Sequence, residues 1–144
     1  MQLNQQDAVM LEDFEKDIKK KIPLAHHLDF QFFSFENSCL ILRAPFSKNK
    51  NDKETVFAGS QASLALLAGW SLVTLVFEKQ GVTSVAAMKT EMQYIKPIEG
   101  DFEIQANFSK DADLESCKHM LAKKGRSKIS VDVVLREQGE EIIK

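Results

Sequence analysis

From Thr55 to Phe77 the chain runs 23 residues without a charge, and any fold must find a place for that stretch. A bilayer is one candidate, since about 20 apolar residues span its hydrocarbon core. Gly59, Ser60, Gln61, Ser63, Gly69, Ser71 and Thr74 dilute the run, however, and no Lys or Arg asymmetry marks its ends. The better reading is a helix enclosed by protein on nearly all sides, because a helix apolar all round must be core in a folded domain. No membrane partner is expected. The sequence predicts a central helix over about 59–80, stopped by Gly81.

A core helix needs a shell, and the flanks supply one. Leu11, Phe14, Ile18 and Ile22 recur at helical spacing among charged residues, which predicts an amphipathic helix over about 7–22, stopped by Pro23. His26 and His27 are expected at the exposed start of the strand that follows. Leu28, Phe30 and Phe32 alternate with polar residues, and the apolar register slips at Phe33 before resuming at Phe35, as in a bulged strand. After a turn at Glu36-Asn37-Ser38, the alternation of Leu40, Leu42, Ala44 and Phe46 completes a hairpin.

Beyond the central helix the period of two returns twice. Ala86, Met88, Thr90, Met92 and Tyr94 predict a long strand, and Phe102, Ile104, Ala106 and Phe108 another. A short amphipathic helix through Leu114, Cys117 and Leu121 ends near Gly125. Ile129, Val131, Val133 and Leu135 then form a strand, and the tail at 141–144 pairs or frays. Alternation means that each strand buries one face, the habit of antiparallel sheets. The class is therefore α+β, a curved antiparallel sheet around one long central helix, in a single domain over 1–144.

Charge and cysteine usage narrow the functional classes. Lys and Arg number 19 against 21 Asp and Glu, a net charge of −2, which offers no case for binding a nucleic-acid backbone. Cys39 and Cys117 form no CxxC pair, so neither a disulfide framework nor a zinc site is expected, and a reducing, cytoplasmic location fits. His119 belongs to the polar face of the short helix. No HExxH, GxGxxG or Walker-type run occurs, which predicts no metal and no nucleotide cofactor.

The order of elements, together with Asn51, Thr55, Phe57, Gly59 and Ser60 and the Gly69-Trp70 pair in the helix, resembles the hotdog-fold thioesterases. Among these it is most similar to the family found as the C-terminal domain of the bacterial protein YiiD, whose hallmark resembles NxxxTxFGGS followed by GW. The chain departs from it in two places: Ala58-Gly59 replaces the glycine pair, and Glu54 stands where glycine is more usual. Better-known hotdog thioesterases resemble N(x5)HGG with an acid about two helical turns on. Here Phe57 and Leu66 occupy those positions.

The resemblance implies acyl-CoA or acyl-carrier-protein thioesters as substrate, and a homodimer, with a dimer of dimers as a further possibility. It also implies sites formed between subunits, with the loop 49–57 facing the neighbour's helix. Thioester hydrolysis builds negative charge on the carbonyl oxygen, which preset backbone amides stabilise. Gly59 and Ser60, at the start of the buried helix, are the candidate oxyanion donors. Gly59 has no Cβ to hold a thioester away from the backbone. The competing reading of the pair is a turn and an N-cap.

Asn51 and Asp52 are candidates to orient and deprotonate water, against plain loop polarity. Ser63 lies one turn beyond Ser60, as a water-positioning or substrate contact rather than a nucleophile, because no base stands in a recognisable relation to it. Phe57, Trp70 and Tyr94 are candidates to line the acyl or pantetheine passage. The missing acid keeps two rivals in view: a non-catalytic acyl-CoA or acyl-chain binding or dimerisation domain of the same fold, and, more weakly, a dehydratase.

Overall fold

The computed structural model describes residues 5–82 and 84–140. Helix α1 (Gln5–Lys21) is followed by a short helix α2 (Pro23–Leu28), strands β1 (Gln31–Glu36) and β2 (Cys39–Ala44), and the long helix α3 (Ala58–Phe77). Strand β3 (Phe102–Phe108), helix α4 (Leu114–Lys124) and strand β4 (Val131–Glu137) complete the chain. The four strands form one antiparallel sheet in the order β1-β2-β3-β4.

The sheet follows from its alternation. Leu40 and Leu42 on β2 and Phe102, Ile104 and Ala106 on β3 are fully buried. The register sets Leu42 opposite Ile104 and Leu40 opposite Ala106, so these residues make one continuous apolar face. Helix α3 lies on that face with Leu64, Ala68 and Leu72 wholly enclosed. It is long and apolar enough to cross a membrane, and half of that apolar stretch is buried within the protein. Amphipathic α1 closes the β1 side by stacking. Phe14 stands parallel between Phe32 and Trp70, at centroid distances of 5.4 and 6.0 Å.

The outer face of the sheet carries a charged row in place of a core. Arg43, Glu103 and Arg136 are cross-strand partners on β2, β3 and β4. Glu103 accepts from Arg43 Nη2 at 3.1 Å and from Arg136 Nη2 at 3.4 Å, and is only 8% exposed. The Arg43 guanidinium in turn lies 3.4 Å from the centroid of the Phe33 ring. Phe33 is the residue that slips out of register: the β1–β2 pairing shifts between Phe32 and Ser34, as the broken alternation predicts.

Two sequence expectations are corrected. Pro23 does not lead into a strand, because Pro23–Leu28 is helical with proline at the first turn, where its missing N–H costs nothing. His26, His27 and Leu28 therefore belong to α2, not to the approach to β1. The strand expected over Ala86–Tyr94 is also absent: the described residues from 84 to 95 make no ladder. Alternation supplies the side chains of a strand, but pairing needs an edge, and among the described residues this stretch lies against none. The tail over 141–144 falls outside the described residues.

Candidate active site

The loop before α3 is held from inside. Asn49 is buried, and its Nδ2 donates to the Leu28 and Pro45 carbonyls at 2.9 Å each, while its backbone carbonyl accepts from Phe57 N at 2.7 Å. Val56 N donates to Ile98 O at 2.8 Å, tying the loop to the chain that enters β3. Gln61, also buried, donates from Nε2 to Val56 O at 3.2 Å. Neither Asn49 nor Gln61 was a sequence candidate. Asn49 looks like any loop asparagine, and the one available signal for Gln61 is a lone amide inside an uncharged run.

Asn51 spends its side chain on the loop. Its Oδ1 accepts from Lys53 N at 2.9 Å and Thr55 N at 3.1 Å, and its Nδ2 donates to Thr55 Oγ1 at 2.8 Å. This is the side-chain mimicry of a backbone turn that suits asparagine. It also explains why the hallmark pairs Asn51 with Thr55. Glu54 sits in the same turn at φ 60°, in the left-handed region where glycine is free and other residues are strained. Asp52 projects from the loop, exposed.

Helix α3 begins with no side-chain cap. The first helical bond is from Gln61 N to Phe57 O at 3.1 Å, so the amides of Ala58, Gly59 and Ser60 precede the i→i−4 ladder and concentrate the positive end of the helix dipole. Gly59 is half-buried, and the Phe57 ring lies over it: a Cβ built on Gly59 would stand 2.3 Å from Phe57 Cε2. A side chain at this position would displace the exposed Phe57 ring. Tyr94 reaches back from the 84–96 segment and donates its hydroxyl to Ala58 O at 3.1 Å.

The structure therefore brings Phe57, Gly59, Ser60 and Tyr94 together at one helix end. Ser63 lies one turn on and is half-buried. Trp70 is farther along α3, in the aromatic stack with α1, and its Nε1 donates to Val85 O at 3.0 Å. These two hydrogen bonds, from Tyr94 and Trp70, pin both ends of the 84–96 segment over α3. Beneath it runs an open groove of about 2070 Å³, beginning at Gln61 and floored by Ala62, Ala65, Leu66, Gly69 and Trp70. Leu66 is 43% exposed there, so the position where other hotdog thioesterases carry an acid does face the groove, with an apolar side chain.

A loop anchored before an uncapped helix, and a groove of small apolar residues behind it, form a recognisable arrangement. The family model described as "Putative thioesterase (yiiD_Cterm)" matches residues 11–144. The chain belongs to this thioesterase family. Among solved structures it is similar to a putative thioesterase from Shewanella oneidensis, with 24% identity, 90% of this chain and 88% of that one covered, and a TM-score of 0.78. A protein of unknown function from Chlorobaculum tepidum is 23% identical, with 90% and 80% covered and a TM-score of 0.81. A probable thioesterase from Pseudomonas aeruginosa is 19% identical, with 91% and 87% covered and a TM-score of 0.68. The fold is the hotdog, with α3 as its central helix, as the resemblance implied.

Proposed function

We propose that the chain hydrolyses acyl thioesters carried on coenzyme A or an acyl-carrier protein, at a site shared between two copies of the chain. The observation that carries this reading is the uncapped start of α3 at Gly59 and Ser60, one turn from an apolar groove, in a member of a thioesterase family. The thioester carbonyl oxygen accepts from the Gly59 and Ser60 amides, while the acyl chain or pantetheine arm runs along Ala62, Ala65 and Gly69. As water attacks the carbonyl carbon, the developing oxyanion meets donors that need no reorganisation.

The C–S bond then breaks, and the leaving thiolate takes up the proton surrendered by water. Asn51 acts by shaping the loop, and the exposed Asp52 carboxylate, extended toward the neighbouring copy, is the base that receives the water proton. The second copy is supported by the surface that one chain leaves open: Ile95 is 87% and Met88 73% exposed on the segment that lacks a strand partner. Pairing of 84–96 with its counterpart would cover both residues and complete the sheet.

One observation favours a second reading. Leu66, facing the groove where an acid would activate water, fits a protein that binds acyl thioesters without turning them over. Thiol release from a panel of acyl-CoA esters separates the two. Hydrolysis by the wild type, falling at least about tenfold in Asp52→Asn with the fold intact, supports the enzyme and its base. Ligand binding without any thiol release supports the binder.

A further inference from the structure

The segment between Asn49 and Phe57 is closed by its own hydrogen bonds. Asn51 N donates to Thr55 O at 2.8 Å, Phe57 N donates to Asn49 O at 2.7 Å, and between them Lys50 and Val56 form an antiparallel bridge. The bonds of the Asn51 side chain, to Lys53 N, Thr55 N and Thr55 Oγ1, all fall within the tip of this segment. At the base, Phe57 leads straight into Ala58, the first residue of α3. A shift of the base therefore carries the Gly59 and Ser60 amides with it, whereas a change confined to the tip does not.

The base is fastened to the rest of the protein through Asn49. Its Nδ2 donates to the carbonyl of Leu28, the last residue of α2, and to that of Pro45, the first residue after β2. Its backbone N–H donates to Phe46 O at 3.0 Å. The two carbonyl neighbours decide which end of the amide carries nitrogen, since an oxygen there would face them with no proton between. Asn49 is 2% exposed, and its Oδ1, equally enclosed, meets no donor among the described residues. A buried acceptor without a partner costs stability, so filling space does not account for asparagine at this place. What the side chain contributes is the direction of its two hydrogen bonds.

We infer that Asn49 is a positioning residue for thioester hydrolysis: by tying the base of the 49–57 segment to the ends of α2 and β2, it sets where the first amides of α3 meet the thioester carbonyl. The inference rests on the thioester reading of Gly59 and Ser60. Asn49 acts through Phe57, whose N–H it holds and whose carbonyl accepts the first helical bond from Gln61 N at 3.1 Å. Oxyanion donors lower the barrier only where they stand at hydrogen-bond distance from the developing charge, and a misplacement of about 1 Å costs on the order of a hundredfold in rate. The groove for the acyl or pantetheine arm is floored by later residues of α3, so loss of Asn49 bears on kcat rather than KM.

The test replaces Asn49 by leucine, of similar size and with no proton to donate. In Asn49→Leu, kcat for an acyl-CoA should fall at least about tenfold while KM stays within about twofold of the wild type. In the Gly59→Val background, where the valine side chain bars the carbonyl from these amides, the same substitution should remove less than about a further twofold, because both changes act on one contact. In ¹H–¹⁵N spectra of Asn49→Leu, the Gly59 and Ser60 cross-peaks should shift, and those of Lys53 and Thr55, held within the tip by Asn51, should stay. Asn49→Ser, smaller and still polar, carries the same three comparisons if leucine prevents folding.

Equal factors of kcat lost in the wild-type and Gly59→Val backgrounds would overturn the inference, since Asn49 would then support the fold without acting through these amides. So would a KM that rises with kcat unchanged, or Gly59 and Ser60 cross-peaks that do not move in a folded variant. A wild type that hydrolyses no acyl thioester would remove the proposed activity alone: shifts at Gly59 and Ser60, with Lys53 and Thr55 unmoved, would still leave Asn49 in control of the first turn of α3.

Discussion

Single residues in unfavourable backbone conformations mark where this chain is least legible. The β1–β2 turn places Asn37 at φ 51° and Ser38 at φ 56°, the paired left-handed geometry of a tight hairpin, for which Asn-Gly is the usual solution. Ser38→Gly should relieve one of those strains and stabilise the fold by about 0.5–1 kcal/mol, read as a higher midpoint in urea. A lower midpoint would mean that the serine side chain is needed there. Glu54 hides its strain in the same way, because nothing in its side chain signals a left-handed φ. The turn at 36–38 was readable from composition, whereas the hold of Asn51 on Thr55 was not: the sequence offered Asn51 as a water-orienting group or plain loop polarity, and only the folded loop shows its side chain bonded to Thr55. Buried Asn49 was not readable, since what distinguishes it is the pair of distant carbonyls it meets.

At the scale of elements, periodicity succeeded wherever an element finds its partner within one chain. β2, β3 and β4 alternate and pair, and even the slip at Phe33 appears as a bulge. It failed for 84–96, whose alternation is as regular but which has no edge to join, and for Pro23–Leu28, too short for a helical period to show. The charged row on the outer face escaped it too, because only the register reveals that Arg43, Glu103 and Arg136 lie side by side. Their alignment has an energetic consequence. Glu103→Ala leaves two guanidinium groups facing each other across β3, and we expect a loss of about 1–3 kcal/mol in chemical denaturation. An unchanged stability would show that solvent replaces the carboxylate at no cost.

For the whole molecule, the same uncharged run explains both the fold and the surface it leaves open. Helix α3 satisfies one face against the sheet and presents the other, Ala62, Ala65, Leu66 and Gly69, to the groove beneath 84–96. That arrangement leaves Leu66, Met88 and Ile95 exposed, and the second copy is the proposed remedy. Ile95→Glu should therefore convert a dimer into a monomer in sedimentation or light scattering, with the helix content unchanged. A dimer that survives the substitution would place the interface elsewhere.

The central claim is that the first amides of α3 receive a thioester carbonyl, and turnover of acyl-CoA by Gly59→Val tests it most directly. The nearest obstacle to the new side chain is the exposed Phe57 ring, which can swing aside, so circular dichroism and the melting temperature should stay close to wild type. Valine keeps the backbone N–H, but its side chain bars the carbonyl from reaching it, so kcat should fall about a hundredfold, the typical cost of an oxyanion donor put out of use. A folded Gly59→Val protein that hydrolyses acyl-CoA at the wild-type rate would contradict the claim.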